Sequence, residues 1–202
     1  MDKILFAAIV LLCSIFTNQR NSIWKNEYTL WKDTVLRSPG KSSPHINLGN
    51  VFLIRGLLDK AETEFLSAVN INSLGVWAHS GLGVVYFQKG LLDRSMDEYK
   101  LITTGSPDFP PGHNNLGVVY MTKGLLDDAI REFNITIRLD PNFPDAYANL
   151  GLAYKKKGLL KEAMENLEQA LTLSPEHRDA RRYLSDVIRL SGGGTSQAHD
   201  PH

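Results

Sequence analysis

A chain of 202 residues with 43% hydrophobic content is long enough to bury a core. Its 22 Lys and Arg balance 22 Asp and Glu, so no overall field draws it to nucleic acid. Its single cysteine excludes a disulfide framework and a cysteine-built zinc site. The first predicted element is the apolar run at residues 4–17, Ile-Leu-Phe-Ala-Ala-Ile-Val-Leu-Leu-Cys-Ser-Ile-Phe-Thr. As a helix it spans roughly 21 Å, short of a hydrocarbon core of roughly 30 Å. No small-x-small cleavage site follows it, and we expect residues 1–21 to act as an N-terminal membrane anchor. A cleaved signal or a helix packed on the protein are the alternatives.

From residue 42 the chain repeats itself every 34 residues. The pairs Leu48-Gly49, Leu82-Gly83, Leu116-Gly117 and Leu150-Gly151 are each followed three residues later by an aromatic, at Phe52, Tyr86, Tyr120 and Tyr154. A second glycine comes next at Gly56, Gly90, Gly124 and Gly158. Then come a small residue (Ala61, Ser95, Ala129, Ala163) and, four further on, a large one (Phe65, Tyr99, Phe133, Leu167). Spacings of three, four and seven are helical. Each copy therefore predicts two antiparallel helices, with the second glycine ending the first in a left-handed cap. Pro107, Pro141 and Pro175 mark where three of the second helices stop.

The period, the Leu-Gly-x-x-aromatic block, the small-x-x-x-aromatic block and the closing proline resemble the tetratricopeptide repeat family. The family's tryptophan column here holds His45, His79, His113 and Tyr147. The resemblance implies an all-α fold, a right-handed α-solenoid of helix hairpins behind the N-terminal membrane helix, with four repeats over residues 42–177. Extended backwards, the phase puts Trp31 in the Phe65 column, so residues 22–41 read as a degenerate half-repeat. Extended forwards, it predicts a capping helix at residues 178–190 with a polar outer face, followed by a disordered tail at 191–202.

No phosphate loop, HExxH or recognisable nucleophile motif occurs, so the sequence offers no catalytic residue and no cofactor site. Three histidines in one column stand a full repeat apart, too far to share a metal ion, so no metal site is expected. Binding is the live option. The face of the first helices turned away from the second should include Asn50 and Leu53, Val84 and Phe87, Val118 and Met121, and Leu152 with Lys155. Whether these side chains line a groove or pack between first helices stays open. Asn47, Asn115 and Asn149 stand just before Leu-Gly, with Gly81 breaking the series and Asn114 beside it. In O-linked N-acetylglucosamine transferases, matching asparagines form a ladder that holds an extended peptide, because an amide both donates and accepts.

The junction Arg20-Asn-Ser-Ile-Trp24 through Leu30-Trp31-Lys-Asp33 to Ser38-Pro39 is similar to the end of multi-pass O-mannosyltransferase-type glycosyltransferases that carry these repeats. That resemblance implies repeats on the extracytoplasmic side and association with a membrane glycosyltransferase, or a chain corresponding to the detached end of one. The basic residues after the apolar run favour the opposite side. The resulting expectation is a membrane-anchored module that binds a protein or peptide, accessory to extracytoplasmic glycosylation or envelope assembly. A structural scaffold or self-association module is the alternative.

Overall fold

The computed structural model describes residues 26–193, and every regular element among them is an α-helix. The helices are α1 (Glu27–Arg37), α2 (Ser42–Ile54), α3 (Leu58–Ile71), α4 (Val76–Gln88), α5 (Leu92–Gly105), α6 (Pro110–Thr122), α7 (Leu126–Leu139), α8 (Pro144–Lys157), α9 (Leu160–Leu173) and α10 (Arg178–Gly193). They divide between Lys89 and Gly90 into two compact units, α1–α4 and α5–α10.

In the first unit, α1 is started by Asn26, whose side chain accepts the Thr29 N–H at 3.0 Å while the Thr29 hydroxyl donates to the Asn26 carbonyl. This reciprocal cap satisfies backbone groups that a helix start leaves open. The α2–α3 hairpin turns at Gly56, where φ is +70°. That conformation lets the Leu57 N–H reach back to the Phe52 carbonyl at 2.9 Å, closing the end of α2. Gly49 of α2 faces Phe65 of α3 so closely that a Cβ there would lie 2.7 Å from the ring. Phe65 consequently has 0% exposure, in a core shared with Ala61, Leu48, Phe52, Leu82, Val85 and Tyr86. α1 packs on α2, where Tyr28 meets Phe52 at 5.8 Å and Arg55 lies 5.0 Å over the Tyr28 ring. It buries no residue fully, and Trp31, in the Phe65 column, is only half-buried. Phe65 owes its burial to helices on both sides, whereas α1 packs mainly on α2.

The second unit repeats this grammar. Gly124 and Gly158 both have φ of +78°, and the Leu125 and Leu159 N–H groups donate back to the Tyr120 and Tyr154 carbonyls. Gly117 admits the Phe133 ring, and Gly151 admits Leu167. Pro110 and Pro144 open α6 and α8, where a missing backbone N–H does no harm. Ion pairs tie successive repeats within each unit. Lys89 donates to Asp59 at 2.6 Å and to Glu62; Lys123 meets Asp93, and Lys157 meets Asp127. The hydrogen bond to Asp59, followed by that to Glu62, raises the Lys89 pKa above its ordinary value.

No helix among the described residues is long and apolar enough to cross a membrane. The expected anchor at residues 4–17 lies outside the described residues, as do residues 22–25 of the half-repeat and 194–202 of the tail. Where the sequence pattern ends the capping helix at 190, α10 continues through Gly193, so Ser191 to Gly193 are helical rather than part of the tail. In this last turn the Ser191 hydroxyl donates to the Ile188 carbonyl at 2.8 Å.

Candidate peptide-binding surface

The repeated histidines are structural ties. His113 Nδ1 lies 2.7 Å from Glu132 of α7, and its Nε2 lies 2.9 Å from the Pro107 carbonyl. His45 is held the same way by Glu64 and the Pro39 carbonyl, at 2.7 and 3.3 Å. Both nitrogens of each ring already have protein partners. Among the described residues, no group of three His, Cys, Asp or Glu side chains is placed to hold a metal ion.

The expected binding residues fall into two sets, one per unit. In the first unit Asn50 is exposed, while Asn47, Leu53, Val84 and Phe87 are half-buried. Leu53 leans on the Phe52–Phe65 core. The gap in the asparagine series has a steric cause, since a Cβ on Gly81 would meet the Phe65 ring at 2.4 Å. No asparagine fits there while Phe65 occupies the space between α2 and α4.

In the second unit the structure joins Asn114, Asn115 and Asn149 into one network. Asn149 of α8 donates to Asn114 of α6 at 3.0 Å, and Asn114 donates weakly to Asn115 at 3.4 Å. Asn115 in turn hydrogen-bonds the hydroxyl of Tyr99 on α5. Burial pushes the Tyr99 phenol well above its usual pKa, and the Asn115 bond offsets only part of that rise. Asn114 is 7% exposed, whereas Asn115 and Asn149 are half-buried. Asn115 therefore serves the core on one side and the open face on the other. A phenol buried without a partner would be costly, and the amide supplies one.

Val118 and Leu152 are half-buried and pack against the core around Phe133 and Leu150. Met121 lies inside that core, at 8% exposure, with Ala129, Phe133 and Ala153. Its flexible side chain folds onto these small neighbours rather than offering itself to a ligand.

Residues that the sequence pattern places only in the cap also belong to this face. One further step of 34 carries Ala148, Asn149 and Lys155 to Arg182, Tyr183 and Arg189 of α10. Val187 and Ala180 are the fully buried residues of α10, which leaves these three on its half-buried and exposed sides. Lys155 donates to Asp186 of α10 at 2.7 Å, which shows that the first-helix face continues from α8 to α10. The hydrogen bond from Lys155 holds the Asp186 carboxyl below its usual pKa. The signal lies in the sequence, one period beyond the last complete repeat.

Comparison with known proteins agrees with this architecture. Residues 119–158 match a family model described as TPR repeat, and residues 144–177 one described as Tetratricopeptide repeat. The chain thus carries tetratricopeptide repeats, which are protein-protein interaction elements in general. No curated protein sequence matches it. Among solved structures it is similar to MamA, at 26% identity and a TM-score of 0.63 over 72% of this chain and 85% of that one. TTC0263, a tetratricopeptide protein of Thermus thermophilus, aligns at 21% identity and 0.70 over 80% and 89%. The first tetratricopeptide domain of Spaghetti (RPAP3), bound to the HSP90 peptide SRMEEVD, aligns at 23% and 0.56 over 58% and 93%. The last two likenesses are of fold alone.

Proposed function

We propose that this chain is a protein-protein interaction module that takes an extended peptide against the first helices of its second unit. The observation that carries the reading is the amide network of Asn114, Asn115 and Asn149 beside the half-buried Val118 and Leu152. An amide has two N–H donors and two acceptor lone pairs, and Asn149 uses one N–H on Asn114. The remaining groups suit a peptide backbone of any sequence, and the flanking apolar side chains suit every second residue of an extended chain. The neighbour bound to SRMEEVD supports peptide recognition by this fold.

In this proposal the apolar residues 4–17 hold the module at a membrane with the repeats on the extracytoplasmic side, accessory to a glycosyltransferase or an envelope assembly. The junction sequence supports that placement. Full-length protein should resist carbonate extraction from membranes. Pull-down with full-length chain should recover a partner, and Asn149→Ala should weaken its capture without moving the melting temperature by more than a few degrees. Capture unchanged by Asn149→Ala and Leu152→Ala together would instead favour a structural spacer.

A further inference from the structure

Charge is segregated by helix type in the second unit. The first-type helices α6, α8 and α10 carry Lys155 to Lys157, Arg178, Arg181, Arg182 and Arg189 against Asp145, Asp179 and Asp186. The second-type helices α5, α7 and α9 carry five Lys or Arg against nine Asp or Glu. The whole chain is neutral, so this is a local division and not a general field.

The cations are arranged as well as numerous. The Asp186 carboxylate stands between two of them, accepting from Lys155 at 2.7 Å through one oxygen and from Arg189 at 3.2 Å through the other. Arg182 lies 5.0 Å over the Tyr183 ring and donates to the Tyr183 hydroxyl at 3.2 Å, with Asp179 at 2.8 Å. The ring and the Asp179 carboxylate hold the guanidinium, whose five N–H donors outnumber these two partners. The Arg182 and Arg189 side chains are 65% and 80% exposed. Lys156, exposed on α8 next in sequence to Lys155, adds a further cation.

We infer that the peptide taken by this face carries an acidic stretch, seated where α8 meets α10 with its carboxylates on Arg182, Arg189 and Lys156. The inference rests on the peptide-binding reading and names its ligand class. Asp186 acts as a positioning residue that holds Lys155 and Arg189 in place. Neighbouring amides and apolar side chains, in place of a broad basic surface, favour a peptide over a nucleic acid.

Fluorescence anisotropy on the full-length chain in detergent tests this with three labelled decapeptides, alternating Ser with Glu, Gln or Lys. The Glu peptide should bind about tenfold tighter than the Gln peptide near 0.05 M salt, and the advantage should shrink at about 0.3 M. Changing Arg182→Gln and Arg189→Gln together should lower Glu-peptide affinity about 3- to 10-fold, as two exposed charge contacts. The Gln peptide and the melting temperature should not respond. Equal binding of Glu and Gln peptides overturns the acidic preference while leaving peptide binding intact, and binding of none overturns both. A double variant that weakens Glu and Gln peptides alike shows the arginines to be structural and overturns their assigned role. Tighter binding of the Lys peptide, or of a single-stranded DNA oligomer, than of the Glu peptide would also overturn the inference.

Discussion

The first helices of the two units share their packing columns and differ in what they leave open. Gly49 against Phe65 in one unit and Gly117 against Phe133 in the other are the same contact, with the ring under 3 Å from where a Cβ would stand. Yet, column by column, Ile46 and Ser80 in the first unit stand where the second has Asn114, Ala148 and Arg182; Asn47 and Gly81 where it has Asn115, Asn149 and Tyr183; and Leu53 and Phe87 where it has Met121, Lys155 and Arg189. First-type helices α2 and α4 hold no Lys, Arg, Asp or Glu, while α8 and α10 are rich in cations. Packing restricts one set of columns identically wherever a hairpin forms. The other set is free to carry recognition, and the two units have used that freedom differently.

Equivalence of the shared columns can be tested by cutting both at the same place. Leu82→Ala and Leu116→Ala, at matching buried positions, should each cost about 2 to 5 kcal/mol in urea unfolding followed by circular dichroism. A loss in one unit and none in the other would refute the equivalence. Next in size, Gly81→Asn writes the asparagine of the second unit into the first. With Phe65 only 2.4 Å from the new Cβ, it should cost about 1 to 3 kcal/mol, measured in the same way. A neutral result would mean the ring has room to move.

Asn115→Ala should cost about 1 to 3 kcal/mol, because the buried Tyr99 hydroxyl loses its amide, and Tyr99→Phe in the same chain should restore part of the loss. The same tyrosine gives a pH signature. Its folded pKa is raised, so the associated stability is complete below the ordinary phenol value near 10 and is lost as pH rises beyond it. Melting temperature should fall between about pH 9 and pH 11 by less in Tyr99→Phe than in the parent. Smallest of all, Lys123→Ala should cost under about 1 kcal/mol, because its partner Asp93 is largely exposed.

The helices and their ends are legible because each is written repeatedly: a glycine that must take positive φ and a small residue that must admit a ring leave a residue-type signature. The site is legible in its asparagines but not in their wiring. That Asn115 serves Tyr99 follows from the burial of a hydroxyl on a neighbouring helix, which no spacing within one repeat reveals. Met121 sits in an open column by phase, yet its long side chain turns onto Ala129 and Ala153, a choice made by the volume available. By pattern alone Arg182 and Arg189 belong to solvent, because a terminal helix needs a polar side. The same charges continue the first-helix face from α8, as one further 34-residue step implies and the Lys155–Asp186 bond shows in the structure.

Recognition on the first helices of the second unit can be followed directly by a nuclear magnetic resonance titration of the chain with the Glu-containing decapeptide, reading side-chain amide and guanidinium signals. Asn149, Arg182 and Arg189 should shift together and saturably, with Leu152 methyls following and the signals of α7 and α9 unmoved. Shifts confined to α7 and α9, or none at Asn149 and the two arginines while the peptide binds, would contradict that placement.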